Sequence, residues 1–97
     1  MRPLHLFDLD VVVRAALAQP PEMRRRFLEQ AVIRADVADR FRKRLGRAHP
    51  EYGDGSLATA VAWQERVARA HLDRKYRKHL GMLLAILAER EAIKYRD

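Results

Sequence analysis

An all-α fold, a small single-domain bundle of three to four helices with a long second helix, is predicted by three observations on these 97 residues. Apolar residues recur at three- and four-residue spacing through most of the chain, the period of an amphipathic helix. Helix breakers concentrate at Pro20-Pro21 and between Gly46 and Gly55. From Leu57 onward there is no proline, and Gly81 is the only glycine.

Each element follows in order. Asp8 precedes the apolar run Leu9 to Leu17, and its carboxylate can accept bonds from the first free backbone amides, so a first helix is predicted over 8–18. Pro20 and Pro21 end it. A proline suits the first turn of a helix, so the same pair opens a second, over 22–45, with Gly46 as its terminator. At about 1.5 Å per residue it is a rod of roughly 36 Å. The turn formers of 46–55 make the main loop. Ser56, or Asp54 before it, caps a third helix over 57–71. Asp73 can cap a fourth over 73–93, although one continuous helix from Leu57 fits the same pattern.

Composition narrows the partners. The chain is 48% apolar and 34% charged, too apolar for disorder and too charged for a membrane protein. No apolar run approaches the roughly 20 residues of a membrane helix, and Met1 to Asp10 carries acids where a signal peptide is apolar, so a cytoplasmic location is expected. Cysteine is absent, which removes disulfides and thiolate metal sites. The net charge of +7 favours polyanions, and it divides as +5 over residues 1–48 and +2 over 49–97.

On a helical projection of 22–45, Phe27, Leu28, Ala31, Ala35, Ala38 and Leu45 share the expected core face. A second line, Ile33, Val37 and Phe41, lies well off it. In 73–93, Tyr76, Leu80, Leu83, Leu84 and Leu87 form the main stripe, with Met82, Ile86 and Ile93 beside it. A domain this small has few helices with which to cover two sides of two of them. Ile33, Val37, Phe41, Met82, Ile86 and Ile93 are therefore the expected oligomerisation residues, the alternative being a well-packed monomer.

Opposite the core stripe of the second helix, Arg25, Arg26, Arg40, Lys43 and Arg44 project as a cationic ridge, with Arg47 just beyond; these six are the expected DNA-binding residues. Arg24 and Arg42 fall nearer the packed side. Ile33 shares the ridge, so protein and phosphate contacts would compete for one face. Cations in the last turn also suit the helix macrodipole without any ligand, and a solvated charged face is the competing reading. A further cluster, Arg74, Lys75, Arg77 and Lys78, is a weaker candidate. Aromatic residues are few and fall mostly at core-like positions, so contact with phosphate rather than with bases is expected, weak and indifferent to sequence. A helix-turn-helix is disfavoured because the one clear turn spans about nine residues, against three or four in that motif.

Catalytic constellations are wanting. His5, His49, His71 and His79 never fall at i, i+4, so no helix face offers a metal pair. Asp8 with Asp10, and Asp36 with Asp39, are read as helix starts and solvated faces rather than paired catalytic acids. Ser56 and Thr59 have no histidine nearby. Gly53-Asp54-Gly55-Ser56 lacks the lysine and preceding strand of a phosphate loop and reads as a cap. Neither enzyme activity, metal nor cofactor is expected.

The opening Met1-Arg2-Pro3-Leu4-His5-Leu6-Phe7-Asp8, the stretch Ala38-Asp39-Arg40-Phe41-Arg42-Lys43-Arg44-Leu45-Gly46-Arg47-Ala48-His49-Pro50 and Tyr52-Gly53-Asp54-Gly55-Ser56-Leu57 resemble the small terminases encoded at the head of alphaproteobacterial gene transfer agent clusters. The resemblance is best over residues 1–62. It implies a DNA-packaging adaptor without catalysis of its own: a ring of helical subunits that binds DNA and hands it to a large terminase carrying the ATPase and nuclease. It also implies a C-terminal tail, Glu89 to Asp97, that contacts the large subunit. Phage small terminases often add an N-terminal helix-turn-helix domain, for which 97 residues leave no room, so sequence-independent binding is expected. A ring would raise avidity by repeating each weak contact. The reading of a different class is a basic regulatory module that binds another protein and has no direct role on DNA.

Overall fold

The computed structural model describes residues 1–68 and 72–94. The chain is mostly helical, with helices α1 (Leu6–Leu17), α2 (Arg24–Leu45), α3 (Leu57–Ala60) and α4 (Arg74–Lys94), and a 3-10 turn, Pro21–Met23, leading into α2. Among the described residues there is no strand, only an isolated bridge between His49 and Gly53. No helix is long and apolar enough to cross a membrane.

Helix α1 is the axis of the bundle. Val11, Val12, Val13, Ala15 and Ala16 are all buried, an apolar arc wider than one face, and such a helix must be covered from more than one side. It is: α2, α3 and α4 all pack on it. The helix starts earlier than predicted, with His5 extended at the N-cap. Asp8 is thus inside the first turn and not its cap. Its buried carboxylate accepts from the His5 N–H at 3.2 Å and from the Ala58 N–H at 3.2 Å, so one side chain serves the first turns of both α1 and α3. At the other end of α1, Arg24 donates from Nε to the Gln19 carbonyl at 3.1 Å and from a terminal nitrogen to the Leu17 carbonyl at 3.3 Å. That accounts for Arg24 turning to the packed side.

Helix α2 ends at Gly46, which takes a left-handed φ of 71° and donates its N–H to the Arg42 carbonyl at 2.7 Å. Its buried face is Leu28, Ala31, Val32, Ala35 and Ala38. Two expected core positions differ: Phe27 is only partly buried and Leu45 is exposed, because the bundle ends before the last turn. In the loop, Ser56 caps α3 by accepting the Thr59 N–H at 3.3 Å, while Asp54 accepts from the Ser56 N–H at 3.0 Å and the Thr59 hydroxyl at 3.0 Å. Both expected cap residues therefore act, and the Gly-Asp-Gly-Ser segment is used internally.

The predicted third helix over 57–71 is one turn long. After Ala60 the chain turns, and from 65 to 68 it runs non-helically alongside α1. There the Val67 N–H bonds the Arg14 carbonyl at 3.1 Å and Arg14 Nε bonds the Val67 carbonyl at 2.9 Å. This clamp satisfies backbone groups that a helix would have bonded to itself, and it returns the chain to where α4 must start. Residues 69–71, with His71, lie outside the described residues. Helix α4 then begins at Arg74, with Asp73 Oδ1 accepting the Tyr76 N–H at 2.8 Å. The chain is thus not one continuous helix from Leu57, but it leaves the helix after Ala60, well before the break expected near Asp73.

Because α4 packs on both α1 and α2, two of its sides are covered within one chain. Ile86 is buried in the core beside Leu83 and Leu87, and Met82 packs partly buried against them. Neither is free for an oligomer interface. Leu84, expected in the main stripe, is instead exposed, since the buried arc is centred on Leu83.

Candidate nucleic-acid interface

The geometry of the cationic ridge follows from which side of α2 the core occupies. With Leu28, Val32 and Ala35 inward, the opposite side presents Arg26, Ile33, Val37, Arg40 and Arg44, all exposed. Arg26 and Arg44, eighteen residues apart, stand about 27 Å from each other along the axis. Arg25 and Lys43 flank the ridge and are engaged there. Arg25 Nε lies 3.3 Å from Glu29, and Lys43 Nζ lies 3.0 Å from Asp39. Arg47 is exposed but sits beyond the left-handed Gly46, off the helix line. Of the six expected DNA contacts, the structure thus aligns Arg26, Arg40 and Arg44 on one face, puts Arg25 and Lys43 in ion pairs at its edge, and displaces Arg47. Among the described residues, no acidic partner is found for Arg26, Arg40, Arg44 or Arg47.

The expected oligomerisation residues separate in the same way. Ile33, Val37 and Ile93 are exposed. Phe41 is not available as they are: its ring meets His49 edge-on with centroids 4.9 Å apart, and His49 stacks on Tyr52 at 4.6 Å. Arg34 completes the pile 5.4 Å over the Tyr52 ring. The loop after α2 folds back and covers Phe41, which the helical projection cannot reveal. Ile33 and Ile93 line one open groove between α2 and α4, together with Val32, Ile86, Glu29, Glu89 and Arg90.

Two acidic residues expected on a solvated face instead form an ion-paired cluster beside the ridge. Asp39 is 2% exposed. Its carboxylate takes the Met1 ammonium at 3.1 Å, Arg42 at 2.9 Å and Lys43 at 3.0 Å. Burial pushes the Asp39 carboxyl up, but the hydrogen bonds from Arg42, Lys43 and the Met1 ammonium outweigh it and hold the group far below the usual carboxylate range. Asp36 is partly buried between the Met1 ammonium, at 2.9 Å, and Arg90, which it binds by a short contact. Burial again works upward and the two cationic donors prevail, so its pKa is lowered. The spacing of Asp39 to Arg42 and Lys43, i, i+3 and i, i+4, is the signal that would have found this cluster. Beside it, Met1, Arg40, Lys43, Arg90 and Ile93 line an open groove of about 460 Å³.

Among the described residues, no three His, Asp or Glu side chains are grouped so as to hold a metal ion. Buried His79 points Nδ1 at the Lys75 carbonyl at 2.7 Å, within its own helix. Asp10, read as part of a carboxylate pair, instead accepts the Tyr76 hydroxyl at 2.6 Å and lies 3.5 Å from Arg14, tying α1 to α4.

No curated protein and no solved structure is detectably similar to this chain. A family model for a domain of unknown function, DUF7742, matches residues 2–87, nearly the whole length, and the chain belongs to that family.

Proposed function

We propose that this protein is a small terminase-like DNA-packaging adaptor, without catalysis of its own, that holds duplex DNA through its phosphates and presents it to a large terminase ATPase and nuclease. The observation that carries the reading is the exposed side of α2, where Arg26, Arg40 and Arg44 stand in line and, among the described residues, have no acidic partner. Such a row meets a phosphate backbone without reading bases, so affinity is salt-dependent and sequence-independent. The resemblance of residues 1–62 to gene transfer agent small terminases supports the same reading. In it, copies of the chain assemble into a ring through Ile93 and through Ile33 and Val37 at the middle of α2, which leaves phosphate contact to the two ends of that face, and the weak contact of each ridge is multiplied.

The test avoids Lys43, whose replacement would also disturb Asp39. Replacing Arg26, Arg40 and Arg44 together by Glu should abolish binding to a duplex of arbitrary sequence at low salt and leave the thermal transition and solution mass unchanged. Undiminished affinity would remove the assignment. The regulatory reading draws on Ile33 and Val37, apolar residues in the middle of the cationic face. Salt separates the two, because phosphate contact weakens steeply between low and physiological ionic strength and an apolar interface does not. Light scattering without DNA tests the ring: a stable assembly at both salts supports it, and a monomer favours the regulatory module.

A further inference from the structure

Trp63 is the only tryptophan in the chain and, at 89% exposure, the most exposed large apolar side chain among the described residues. Inside a third helix it would have been half covered. The early end of α3 leaves it on a turn closed by the Gln64 N–H on the Val61 carbonyl at 3.0 Å. An indole usually finds cover, and one left in water is a contact without its partner.

Its surroundings say what that partner is. The clamp between Val67 and Arg14 lays residues 67 and 68 against the start of α4, where Val67, Ala68, Asp73, Lys75 and Tyr76 line one cleft. Trp63 is four residues before Val67 and so no more than about 14 Å from it. Arg66, between them, is exposed. The first two turns of α4 add Arg74, Lys75, Arg77 and Lys78, all exposed, and the first turn holds no acid. Asp73 is occupied in capping, and the Arg77 guanidinium donates to the Leu72 carbonyl at 3.1 Å. Among the described residues, none of these cations has a carboxylate partner, whereas Arg25 and Lys43 on α2 do. Cations at this end of a helix oppose its macrodipole, so the fold gains nothing from them. The patch is therefore one indole and five cations, Arg66, Arg74, Lys75, Arg77 and Lys78, against one exposed acid, Glu65, besides the capping Asp73, at a different place from the α2 ridge.

We propose that Trp63, Arg66 and the cationic start of α4 form a contact for single-stranded DNA, with a base stacked on the indole and the adjoining phosphates on the cations. Cations select a polyanion, and the exposed π-face selects unpaired bases, because a duplex keeps its bases stacked inside. The inference rests on the packaging reading for its setting: an adaptor serving a nuclease meets cut ends, whose frayed strands offer unpaired bases.

The lone tryptophan is its own reporter. Titrating the full-length protein with oligothymidylate of about a dozen nucleotides should quench Trp63 emission to saturation. Trp63→Ala should weaken that binding about 5- to 150-fold and leave duplex affinity unchanged, while Trp63→Phe retains most of it. Replacing Arg74 and Lys78 by Glu should weaken it further and flatten its salt dependence. Unchanged emission on binding, or wild-type affinity in Trp63→Ala, overturns the proposal. If the α2 variant loses duplex while Trp63→Ala keeps single strands, this inference fails and the packaging reading stands. If Trp63 responds to single strands but duplex binding ignores the α2 variant, the packaging reading fails and this one stands.

Discussion

Replacing Asp39 by asparagine should lower the unfolding free energy by about 3 kcal/mol, a fall of roughly 10–20 °C in Tm for a domain of this size. Asparagine keeps the shape of the side chain but removes the charge, and one of its two polar ends becomes a donor. That donor must face the Met1 ammonium, Arg42 or Lys43, all of them donors too. The loss is set by leaving cations around a buried site, since Asp39 itself is 2% exposed and Met1 is only partly exposed. Lys43 adds little, because it lies largely in water. The pH dependence has a definite sign. Asp36, Asp39 and Asp54 all titrate below their ordinary range. Their contribution is complete above the unfolded value of about 3.9 and is lost as pH falls through the lower folded values. Thermal melts of the native protein should hold steady down to about pH 4 and decline steeply below it; in Asp39→Asn the decline should be shallower, with one such carboxyl gone. A change under about 1 kcal/mol at neutral pH, or an unaltered acid limb, would mean that Arg42 and Lys43 are satisfied by water and that the cluster does not hold the N-terminal segment on α2.

The legible parts of this protein were those governed by local chemistry. The ends of α2 could be read from Pro20-Pro21 and Gly46, and the starts of α3 and α4 from Ser56, Asp54 and Asp73, because a cap acts within one turn of its own position. What could not be read depended on groups far apart in the chain. Helix propensity runs through 61–68 without a breaker, yet the backbone there bonds to Arg14, some fifty residues earlier, and only the tertiary fold supplies that partner. The same cause exposes Trp63. The double stripes were real, but their meaning turned on α4 packing against both α1 and α2 and on the His49–Tyr52 stack covering Phe41. Of the six residues marked for self-association, Ile33, Val37 and Ile93 keep exposed side chains. On the ridge, phase alone put Arg26, Arg40 and Arg44 on the exposed side of α2, whereas the i, i+4 spacing of Asp39 and Lys43 allowed their pairing but not the burial of Asp39 beneath it.

Three of the four glycines provide a graded test of how tightly the loop is held against α2. Gly81 lies in α4 with open space around a β-carbon, so Gly81→Ala should stabilise by about 0.5–1 kcal/mol through helix propensity alone. Gly46 has a φ of 71° and equally open space, so Gly46→Ala should cost about 1 kcal/mol, for backbone strain and nothing else. Gly55 combines strain with a collision. Its φ is 100°, and a β-carbon there would come within 2.9 Å of both Cα and Cβ of Asp39. The obstacle is the backbone of a long helix, which cannot swing aside as the tip of a side chain does. The Gly55 carbonyl also accepts the Arg2 N–H at 3.2 Å, so any retreat of the loop loosens the N-terminal segment that brings Met1 to Asp36 and Asp39. Gly55→Ala should therefore cost about 3–4 kcal/mol, a large share of the stability of a domain this small. Because both changes weaken the same three-way junction, adding Asp39→Asn to Gly55→Ala should cost less than the sum of the two, whereas Asp39→Asn and Gly81→Ala should add. Denaturant midpoints of the single and double variants measure this directly. If Gly55→Ala proved no worse than Gly46→Ala, the loop would have to lie farther from α2 than described, and the burial of Asp39 would lose its structural basis.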